Sequence, residues 1–313
     1  MRCVLINNPA AGRNRSEREL VIRRVGDALA REGHIVEVAT TMGPGTATEL
    51  ARNAAATAEA IFACGGDGTV HEIIQGLASD TTAPTAALGI IPLGSANALA
   101  RHLHISSDPV VAALEQIGGT RSTIPLGKVT HAGNVRYFVA MAGAGPDGAL
   151  AYSCLGSRKS QIGRAAYYFR AAQLFLTHRF RAFEVEYMPA DRGPGRRRMA
   201  VSVMAVRISS LGGIFAGLTS RKASLDDSEL RVYILDGPAI LSMPLWFVSG
   251  WLGISRLNPF LLTVQARSFS CSAIGVPAPH LQLDGESLGQ LPFQAVMVQA
   301  ALTILIPAGS QQV

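Results

Sequence analysis

Short apolar runs alternate with amphipathic stretches through the first third of the chain. The apolar runs cover residues 4–7, 61–64 and 87–91, and residues 34–39 alternate between apolar and polar positions as a strand does. Between the last two apolar runs, apolar residues from Val70 to Leu77 recur at i, i+3, i+4 and i+7, which is the spacing of a buried helix face. Strands that alternate with helices in this way predict a parallel sheet with helices on both faces.

Three hydroxyl residues, each followed three positions later by glutamate, mark predicted helix starts. The pairs are Ser16 with Glu19, Thr46 with Glu49, and Thr69 with Glu72. In such a capping box the hydroxyl oxygen accepts a hydrogen bond from an amide of the first turn, and the carboxylate reaches back to the cap. We therefore expect each hydroxyl residue to cap its own helix.

The pattern changes near residue 125, where we place a domain boundary. Many short strand-like runs separated by turn residues follow, which favours an antiparallel sheet or sandwich. These runs lie at residues 120–129, 135–141, 183–187, 199–208, 229–235, 261–270, 280–283 and 295–306. Helices are predicted at 162–178 and near 239–254, and residues 191–198 are predicted to form a polar loop. The apolar stretch 239–254 contains Pro244 and two glycines and falls short of the roughly 20 residues of a membrane-spanning helix.

Composition narrows the class of protein. Hydrophobic residues make up 48% of the 313 residues and charged residues only 16%, as expected for a globular chain. The formal net charge of +6 favours anionic partners such as nucleotide phosphates or an acidic membrane surface, although a high arginine content is also typical of GC-rich genomes. No basic and aromatic array predicts binding to nucleic acid. The four cysteines form no CxxC pair, and no signal peptide is evident, so we expect a reducing cytoplasm.

Glycine-rich or polar loops follow three of the predicted strands, and GGDGT at residues 65–69 is the most distinctive of them. Amides at a helix start suit phosphate oxygens, and glycine lets the backbone approach a ligand closely. Asp67 is then left to bind a metal ion, orient a hydroxyl or accept a proton. A phosphate loop with one placed acid suggests phosphoryl transfer. A plain tight turn is the alternative, and the similar loop PLGSAN at residues 92–97 weighs against it. The Walker A and GxGxxG signatures are absent.

Four motifs resemble those of the bacterial diacylglycerol and sphingosine kinase-like lipid kinase family. They are NNPAAGR at residues 7–13, CGGDGTVHEIIQGL at 64–77, IPLGSANALAR at 91–101 and LDGE at 283–286. RKSQIGRAAYYF at 158–169 is similar to a further stretch of that family. The resemblance implies an N-terminal doubly wound parallel-sheet nucleotide domain, residues 1–125, and a C-terminal β-rich sandwich domain for the lipid substrate, residues 126–299. It also implies ATP in the cleft between the domains and a last strand, about residues 300–310, that returns to the first domain.

The same resemblance assigns roles to individual residues. It implies that Asp67 or Glu286 is the general base and that Asp284 holds Mg²⁺. For Glu286, which follows Asp284 and Gly285, a plain DG hairpin turn is the alternative. The residues implied in nucleotide binding are Asn8, Thr40, Thr41, Gly65, Gly66, Asp67, Gly68, Thr69, Gly94, Ser95 and Asn97. Asp147 resembles a position that reads the lipid head group, with a turn acid as the alternative.

The stretch ASLDDSEL resembles a structural Mg²⁺ loop with Asp227 and the main-chain oxygens of Ser224 and Glu229 as ligands. Oxygen-only ligands suit Mg²⁺, and a solvated acidic turn is the alternative. Three positions depart from the family pattern: Ser228 replaces a glycine, and Ala98 and Pro125 each replace a frequent aspartate.

The sequence therefore predicts an ATP- and Mg²⁺-dependent kinase of a lipid hydroxyl, with diacylglycerol or a sphingoid or ceramide-like base as acceptor. The expected partner is a lipid substrate at the surface of the inner membrane, and a homodimer is left open. Trp246, Phe247 and Trp251 are candidates for contact with the membrane interface, where tryptophan is favoured, and core packing is the alternative. The other functions considered are a kinase of a soluble acceptor such as NAD, and a regulator that binds nucleotide or lipid without turnover.

Overall fold

The chain divides into two compact units. The structure is a computed structural model that describes residues 1–10, 15–79, 86–153, 173, 180–209, 224–252 and 254–308, with the backbone alone for residues 15, 16, 247, 251 and 256. Unit 1 comprises Met1–Leu126 and Val298–Val313, and unit 2 comprises Gly127–Met297. The predicted helix 162–178 and the RKSQIGRAAYYF stretch lie outside the described residues, except for residue 173.

Unit 1 is built on a parallel sheet. Its strands are β1 (Arg2–Asn7), β2 (Ile35–Thr40), β3 (Ala60–Gly65), β4 (Ala87–Pro92) and the C-terminal part of β15 (Phe293–Ile306). They lie in the order β2-β1-β3-β4-β15, with every neighbouring pair parallel. All six residues of β3 are buried, which matches an interior strand whose two faces are covered. The α/β class predicted for this part of the chain is confirmed.

Unit 1 contains five helices among the described residues, and two of them lack the side-chain caps that the sequence predicts. They are α1 (Arg15–Arg31), α2 (Thr46–Ala54), α3 (Asp67–Leu77), α4 (Ala98–His102) and α5 (Pro109–Ile117). Gly45 and Gly66 occupy the cap positions of α2 and α3, with no side-chain cap. The capping boxes predicted at Thr46 and Thr69 are therefore wrong. The hydroxyl of Thr46 instead donates to the carbonyl of Gly43 (2.6 Å), while the carboxylate of Glu72 accepts from the amide of Ala47 at the start of α2 (3.2 Å).

A buried glutamine completes the hydrogen bonding of β4. Gln116 on α5 is fully buried, and its amide oxygen accepts from the amide of Ile90 (2.8 Å). Its amide nitrogen donates to the carbonyls of Ile90 (2.8 Å) and Ala112 (2.6 Å). The side chain thus satisfies a strand residue in the interior, where an unpaired backbone group would be costly.

Unit 2 is rich in antiparallel strands, as the sequence predicts. Its strands are the end of β5 (Thr120–His131), β6 (Asn134–Phe138), β7 (Met141–Ala144), β8 (Phe183–Pro189), β9 (Arg196–Ala200), β10 (Ser202–Val206), β11 (Leu230–Leu235), β12 (Leu261–Ala273), β13 (His280–Leu283), β14 (Glu286–Gln290) and the start of β15. The main order is β14-β13-β7-β10-β11-β12-β15, while β8 pairs with β12 and β9. The core of this unit is apolar and contains Phe138, Phe183 and Phe269.

The stretch predicted as one strand at 199–208 is two strands. β9 pairs with β8, whereas β10 pairs with β7 and β11, so the chain changes partners at Val201. The end of the predicted polar loop is also strand, because Arg196–Ala200 forms β9. Arg197 lies opposite Glu186 of β8, and its guanidinium is 3.6 Å from Glu186 and 3.9 Å from Glu184 of the same strand. Cross-strand charge pairing lets a basic stretch form an edge strand.

Unit 2 also contains two helices among the described residues. Helix α6 (Pro146–Ser153) follows β7, and helix α7 (Ala239–Trp251) follows β11 and contains Pro244. Among the described residues, no helix has the length and apolar character that crossing a membrane requires.

Candidate functional site

The carboxyl ends of the parallel strands in unit 1 are tied together by backbone hydrogen bonds. The amide of Thr41 donates to the carbonyl of Asn7 (2.9 Å), and the amide of Asn8 donates to Cys64 (3.2 Å). The amide of Leu93 donates to the carbonyl of Gly65 (2.9 Å). These bonds link β2, β1, β3 and β4 in turn. The loops that leave the strands therefore start from one edge of the sheet, where ligands of such sheets bind.

The loops after β3 and β4 touch through glycine. A Cβ added to Gly94 would lie 2.5 Å from the Cα of Gly66, and a Cβ added to Gly66 would lie 3.2 Å from the Cα of Gly94. A Cβ at Gly65 would lie 2.3 Å from the hydroxyl oxygen of Thr69. Positions 65 and 94 therefore leave no room for a side chain, whereas a Cβ at Gly66 would require only a small shift.

Asp67 is the first residue of α3, and its carboxylate connects two loops. Its Oδ1 accepts from the amide of Ala98 at 2.6 Å, at the start of α4. A short bond of this kind between a carboxylate and a backbone amide is among the stronger hydrogen bonds in proteins. Asp67 thus holds the PLGSAN loop against the GGDGT loop, and this bond fixes one of its oxygens.

Side-chain amides organise the two flanking loops. Asn8 donates from Nδ2 to the hydroxyl of Thr69 (2.9 Å) and accepts from the amide of Ala10 (3.0 Å). Asn97 accepts from the amide of Gly94 (3.0 Å) and donates to its carbonyl (2.8 Å). Both side chains therefore stabilise the conformation of their loops through hydrogen bonds. Their contacts with a nucleotide remain predictions.

The other residues predicted to bind nucleotide lie in the same loops of unit 1. Thr40 is the exposed end of β2, and Thr41 beside it is buried. Ser95 is exposed within the PLGSAN loop, and Gly68 lies in the first turn of α3. Residues 11–14 of the NNPAAGR motif lie outside the described residues. The predicted nucleotide residues thus follow β1, β2, β3 and β4 at the same edge of the sheet.

Arg18 belongs to this region, although the sequence analysis did not identify it. The side chain is only 7% exposed, and its guanidinium donates to the carbonyls of Asn8 and Leu93, the latter at 3.1 Å. Burial lowers the pKa of Arg18. One buried cation therefore joins the loops that follow β1 and β4.

Unit 2 contains the acids of the LDGE motif. Asp284 accepts three backbone hydrogen bonds: Oδ1 from Ala140 (2.8 Å) and Met141 (2.9 Å), and Oδ2 from Val139 (3.1 Å). The carboxylate thereby holds the segment between β6 and β7. Its predicted role as a Mg²⁺ ligand remains a prediction, and such a ligand would share its oxygens with three amides.

Glu286 follows the tight turn between β13 and β14. Asp284 (φ 48°) and Gly285 (φ 83°) are its two central residues, as in a type I′ hairpin turn. Glu286 is half-buried at the start of β14. The DG turn anticipated from the sequence is present, and the catalytic role of Glu286 stays a prediction. Asp67 belongs to unit 1, whereas Asp284 and Glu286 belong to unit 2.

Asp147 is not a turn acid, because it lies in the first turn of α6 and is 6% exposed. Its Oδ2 accepts from Nε2 of Gln282 (3.0 Å). Burial raises the pKa of Asp147 to about 6, with the hydrogen bond from Gln282 and the amides of Gly148 and Asp147 opposing the shift. A carboxyl group with this pKa is partly protonated near neutral pH.

The residues of the predicted structural Mg²⁺ loop lie in one turn before β11. The amide of Asp227 donates to the carbonyl of Ser224 (3.3 Å), and the carboxylate of Asp227 accepts from the amide of Ser224 (3.3 Å). The same carboxylate is 3.8 Å from the guanidinium of Arg231. Among the described residues, no group of three or more histidine, cysteine, aspartate or glutamate side chains is arranged to share a metal ion.

Comparison with known proteins places this chain in a family. The sequence profile of the diacylglycerol kinase catalytic domain matches residues 2–129. A diacylglycerol kinase of Bacillus subtilis is 33% identical over 308 residues, which cover 98% of this chain and 96% of that protein. The chain belongs to the diacylglycerol kinase family. A diacylglycerol kinase of Staphylococcus epidermidis is 27% identical over 98% of this chain and 92% of its own length.

Solved structures agree with the fold. A diacylglycerol kinase structure from Bacillus anthracis aligns with a TM-score of 0.74 at 23% identity, covering 98% of this chain and 97% of that one. An NAD kinase from Archaeoglobus fulgidus, solved in complex with ATP, aligns with a TM-score of 0.54 at 15% identity, covering 97% and 93%. At these identities the likeness concerns the fold alone. Family membership identifies a phosphotransferase with an alcohol group as acceptor and implies that it uses a nucleotide.

Proposed function

We propose that this diacylglycerol kinase family member transfers the γ-phosphoryl group of ATP to the hydroxyl of a lipid, either diacylglycerol or a sphingoid or ceramide-like acceptor. The observation that carries the proposal is the position of Asp67, in the first turn of α3 with its carboxylate held by the amide of Ala98. The names of the relatives support a lipid acceptor.

The loops at the carboxyl edge of the sheet in unit 1 have the chemistry to bind a nucleoside triphosphate. The first turn of a helix carries partial positive charge, and α3 begins at Asp67, directly after the two glycines of GGDGT. The contact between Gly66 and Gly94 holds the backbone of the GGDGT and PLGSAN loops together beside these amides. Thr69 is oriented by Asn8, and Arg18 fixes the loops on either side. When bound, ATP with Mg²⁺ supplies the transferable phosphoryl group and neutralises part of its charge.

The carboxylate of Asp67 is a suitable ligand for the Mg²⁺ ion that accompanies ATP. Mg²⁺ bound with a nucleotide keeps several waters and uses one or two carboxylates together with the phosphates. Asp67 is a carboxylate of unit 1 at the start of α3, and its position is fixed by the bond to Ala98. We therefore assign the Mg²⁺ that accompanies ATP to this carboxylate.

The test is a labelled-ATP assay with fractionated lipids from the host. Label in the organic extract is expected, and the labelled species identifies the acceptor. Label that stays in an aqueous acceptor would instead favour a kinase of a soluble substrate, as in the NAD kinases. If the protein consumes no ATP with any lipid of the panel or with any soluble acceptor, the proposal is refuted.

Two variants distinguish the candidate bases. Loss of a general base lowers turnover by about 10²- to 10⁴-fold. Asp67→Asn and Glu286→Gln are compared with Asp27→Asn, which changes an exposed acid on α1. The variant with reduced kcat but unchanged affinity for ATP identifies the base. If both keep the activity of Asp27→Asn, neither acid has the proposed role.

We also propose that α7 and the turn after it contact the membrane that holds the lipid. Five aliphatic side chains there are more than half exposed: Ile240 (82%), Leu241 (58%), Val248 (52%), Leu252 (57%) and Leu257 (76%). The polar side chains of the helix, Ser242 and Ser249, are buried, so the exposed face offers a bilayer aliphatic contact without hydrogen-bonding groups. Trp246 is 4% exposed and packs in the core, which is the alternative that the sequence left open for it. The side chains of Phe247 and Trp251 lie outside the described part of the chain.

Vesicle co-sedimentation tests this contact. Ile240→Asp and Val248→Asp are expected to reduce binding to anionic vesicles, because a charge in the acyl region is unfavourable. Leu20→Asp, at a 58% exposed position on α1, is the matched control. Equal binding by all three variants would contradict the assignment. A change from dimer to monomer in the α7 variants, with vesicle binding unchanged, would assign the face to a second copy instead.

A further inference from the structure

Arg207, directly after β10, is a fully buried cation whose charge is shared between two acidic segments of unit 2. Its side chain is 1% exposed, and Nη2 donates to the carbonyl of Leu225 at 2.6 Å. Among the described residues, Nε and Nη1 have no hydrogen-bond partner. A buried guanidinium with one hydrogen bond needs opposite charge nearby, because desolvation is costly.

That opposite charge comes from the acidic turn and from the LDGE motif. Burial lowers the pKa of Arg207 to about 10, with Asp284, Asp227 and Asp226 opposing the shift, so the group stays charged at neutral pH. The backbone shows the same connection. The amide of Arg207 donates to the carbonyl of Ala140 (2.9 Å), and the amide of Ala140 donates to the carboxylate of Asp284 (2.8 Å).

The acidic turn does not fit a bound Mg²⁺ ion. Asp227, the only carboxylate in the proposed ligand set, accepts from the amide of Ser224 and faces Arg231, whose side chain is only 15% exposed. The carbonyl of Leu225, between two of the proposed ligands, is taken by Arg207. A surface hollow beside the turn is lined by Asp227, Glu229 and Arg231 together. A divalent cation there would be repelled by Arg231, and Mg²⁺ also demands a near-ideal octahedron of oxygen ligands.

We propose that Arg207 is the built-in cation of this turn: its guanidinium supplies the positive charge that a structural Mg²⁺ ion would supply, so residues 224–229 bind no metal. The departure at Ser228 agrees with a turn that need not close around an ion. Magnesium is then required with the nucleotide alone. The inference concerns unit 2 by itself and does not rest on the proposed lipid kinase activity.

The test uses the full-length protein without nucleotide, unfolded by heat in MgCl₂ or in EDTA. The wild-type melting temperature is expected to be the same in both, and equilibrium dialysis against Mg²⁺ is expected to retain no ion. Arg207→Gln is expected to melt several degrees lower in EDTA and to recover part of that loss in MgCl₂, because the acids then lack their buried counter-charge. Arg197→Gln, which removes an exposed arginine paired with two acids of β8, is the control and is expected to show no Mg²⁺ response.

Two results would overturn the proposal. One is a wild-type protein that is stabilised by Mg²⁺ and retains an ion that Asp227→Asn loses. The other is an Arg207→Gln variant that folds but melts identically with and without Mg²⁺. If Arg207→Gln does not fold, dialysis of the wild-type protein still decides, because a retained ion that Asp227→Asn loses refutes the proposal and its absence supports it. None of these measurements uses a kinase assay. The test therefore remains valid even if the proposed function is wrong.

Discussion

The contact between Gly66 and Gly94 allows a graded test of the nucleotide site. Carbon atoms in contact are normally about 3.5–4.0 Å apart. A Cβ at Gly94 would be 2.5 Å from the Cα of Gly66 and 2.8 Å from Oδ1 of Asn97, so the loops must separate by about 1 Å. A Cβ at Gly66 would be 3.2 Å from its neighbour, which requires only a few tenths of an ångström. Gly43, with no atom within 4 Å of an added Cβ, is the matched control.

These distances predict an order of effects. A displacement of about 1 Å in a positioned site costs on the order of 10²-fold in rate, so Gly94→Ala should lower kcat/KM for ATP by about that factor. Gly66→Ala should lower it several-fold, and Gly43→Ala should be near wild type. Overpacking of this kind costs about 1–3 kcal/mol, which leaves a protein of ordinary stability folded at 25 °C. Lost activity would therefore report the geometry of the loops and not unfolding.

The measurements are ATP affinity by equilibrium titration, kcat/KM, and a thermal melt for each variant. The order Gly94→Ala, Gly66→Ala, Gly43→Ala should appear in affinity and in kcat/KM. If Gly94→Ala binds and uses ATP as well as Gly43→Ala does, the contact between the loops does not shape the nucleotide site. The assignment of this edge of the sheet would then be wrong.

Three further outcomes are expected from buried polar groups. Arg18→Met should lose about 3 kcal/mol of unfolding free energy in urea, because two hydrogen bonds from a charged donor disappear, whereas Arg24→Met at an exposed position should lose little. Gln116→Leu should lose about 2–5 kcal/mol, because the amide and carbonyl of Ile90 lose their partner in the interior; wild-type stability would contradict this. A folded-state pKa of about 6 for Asp147 means that the folded protein holds this proton more tightly than the unfolded chain. Stability should therefore fall by up to about 3 kcal/mol as pH rises from about 4 to about 6, and melts of Asp147→Asn should lack this component.

Local patterns in the sequence were sufficient to predict the fold class. The apolar and alternating runs of the first third form β1 to β4, and the Asp284-Gly285 dipeptide forms the expected tight turn. Both signals act over a few residues, because alternation and turn chemistry are set by backbone geometry. The four motif segments could be located for the same reason, since a glycine-rich loop after a strand is a local feature.

The cap predicted at Thr69 failed because the hydrogen-bond partner of its hydroxyl is distant in sequence, whereas the hydroxyl of Thr46 bonds to the preceding turn. The capping rule assumes that a hydroxyl meets its own helix, but Thr69 accepts from Asn8, which is 61 residues away. Glu72 likewise serves the start of α2. Thr69 and Glu72 thus each bond to a residue outside α3, which the spacing of the pair cannot reveal.

The buried charged residues left a signal in the sequence that a helical wheel makes visible. Arg18 lies on the same stripe of α1 as the buried residues Ile22, Val25 and Leu29. A charged residue on an apolar face indicates either a solvated edge or a buried cation with partners. Periodicity alone does not distinguish the two, because the partners of Arg18 are carbonyls in other loops.

The glycines of GGDGT illustrate why a motif does not carry a function by itself. The sequence suggests that these residues lack side chains because a phosphate approaches them. Packing already accounts for both, because a Cβ at Gly65 would clash with Thr69 and Gly66 lies against Gly94. Packing within unit 1 would keep these glycines even in a protein that binds no nucleotide. The case for a nucleotide therefore depends on what packing does not require: the first-turn amides of α3, the acid beside them, and membership of a kinase family. The substitution series at Gly94, Gly66 and Gly43 tests that case, because affinity for ATP and thermal stability are measured separately.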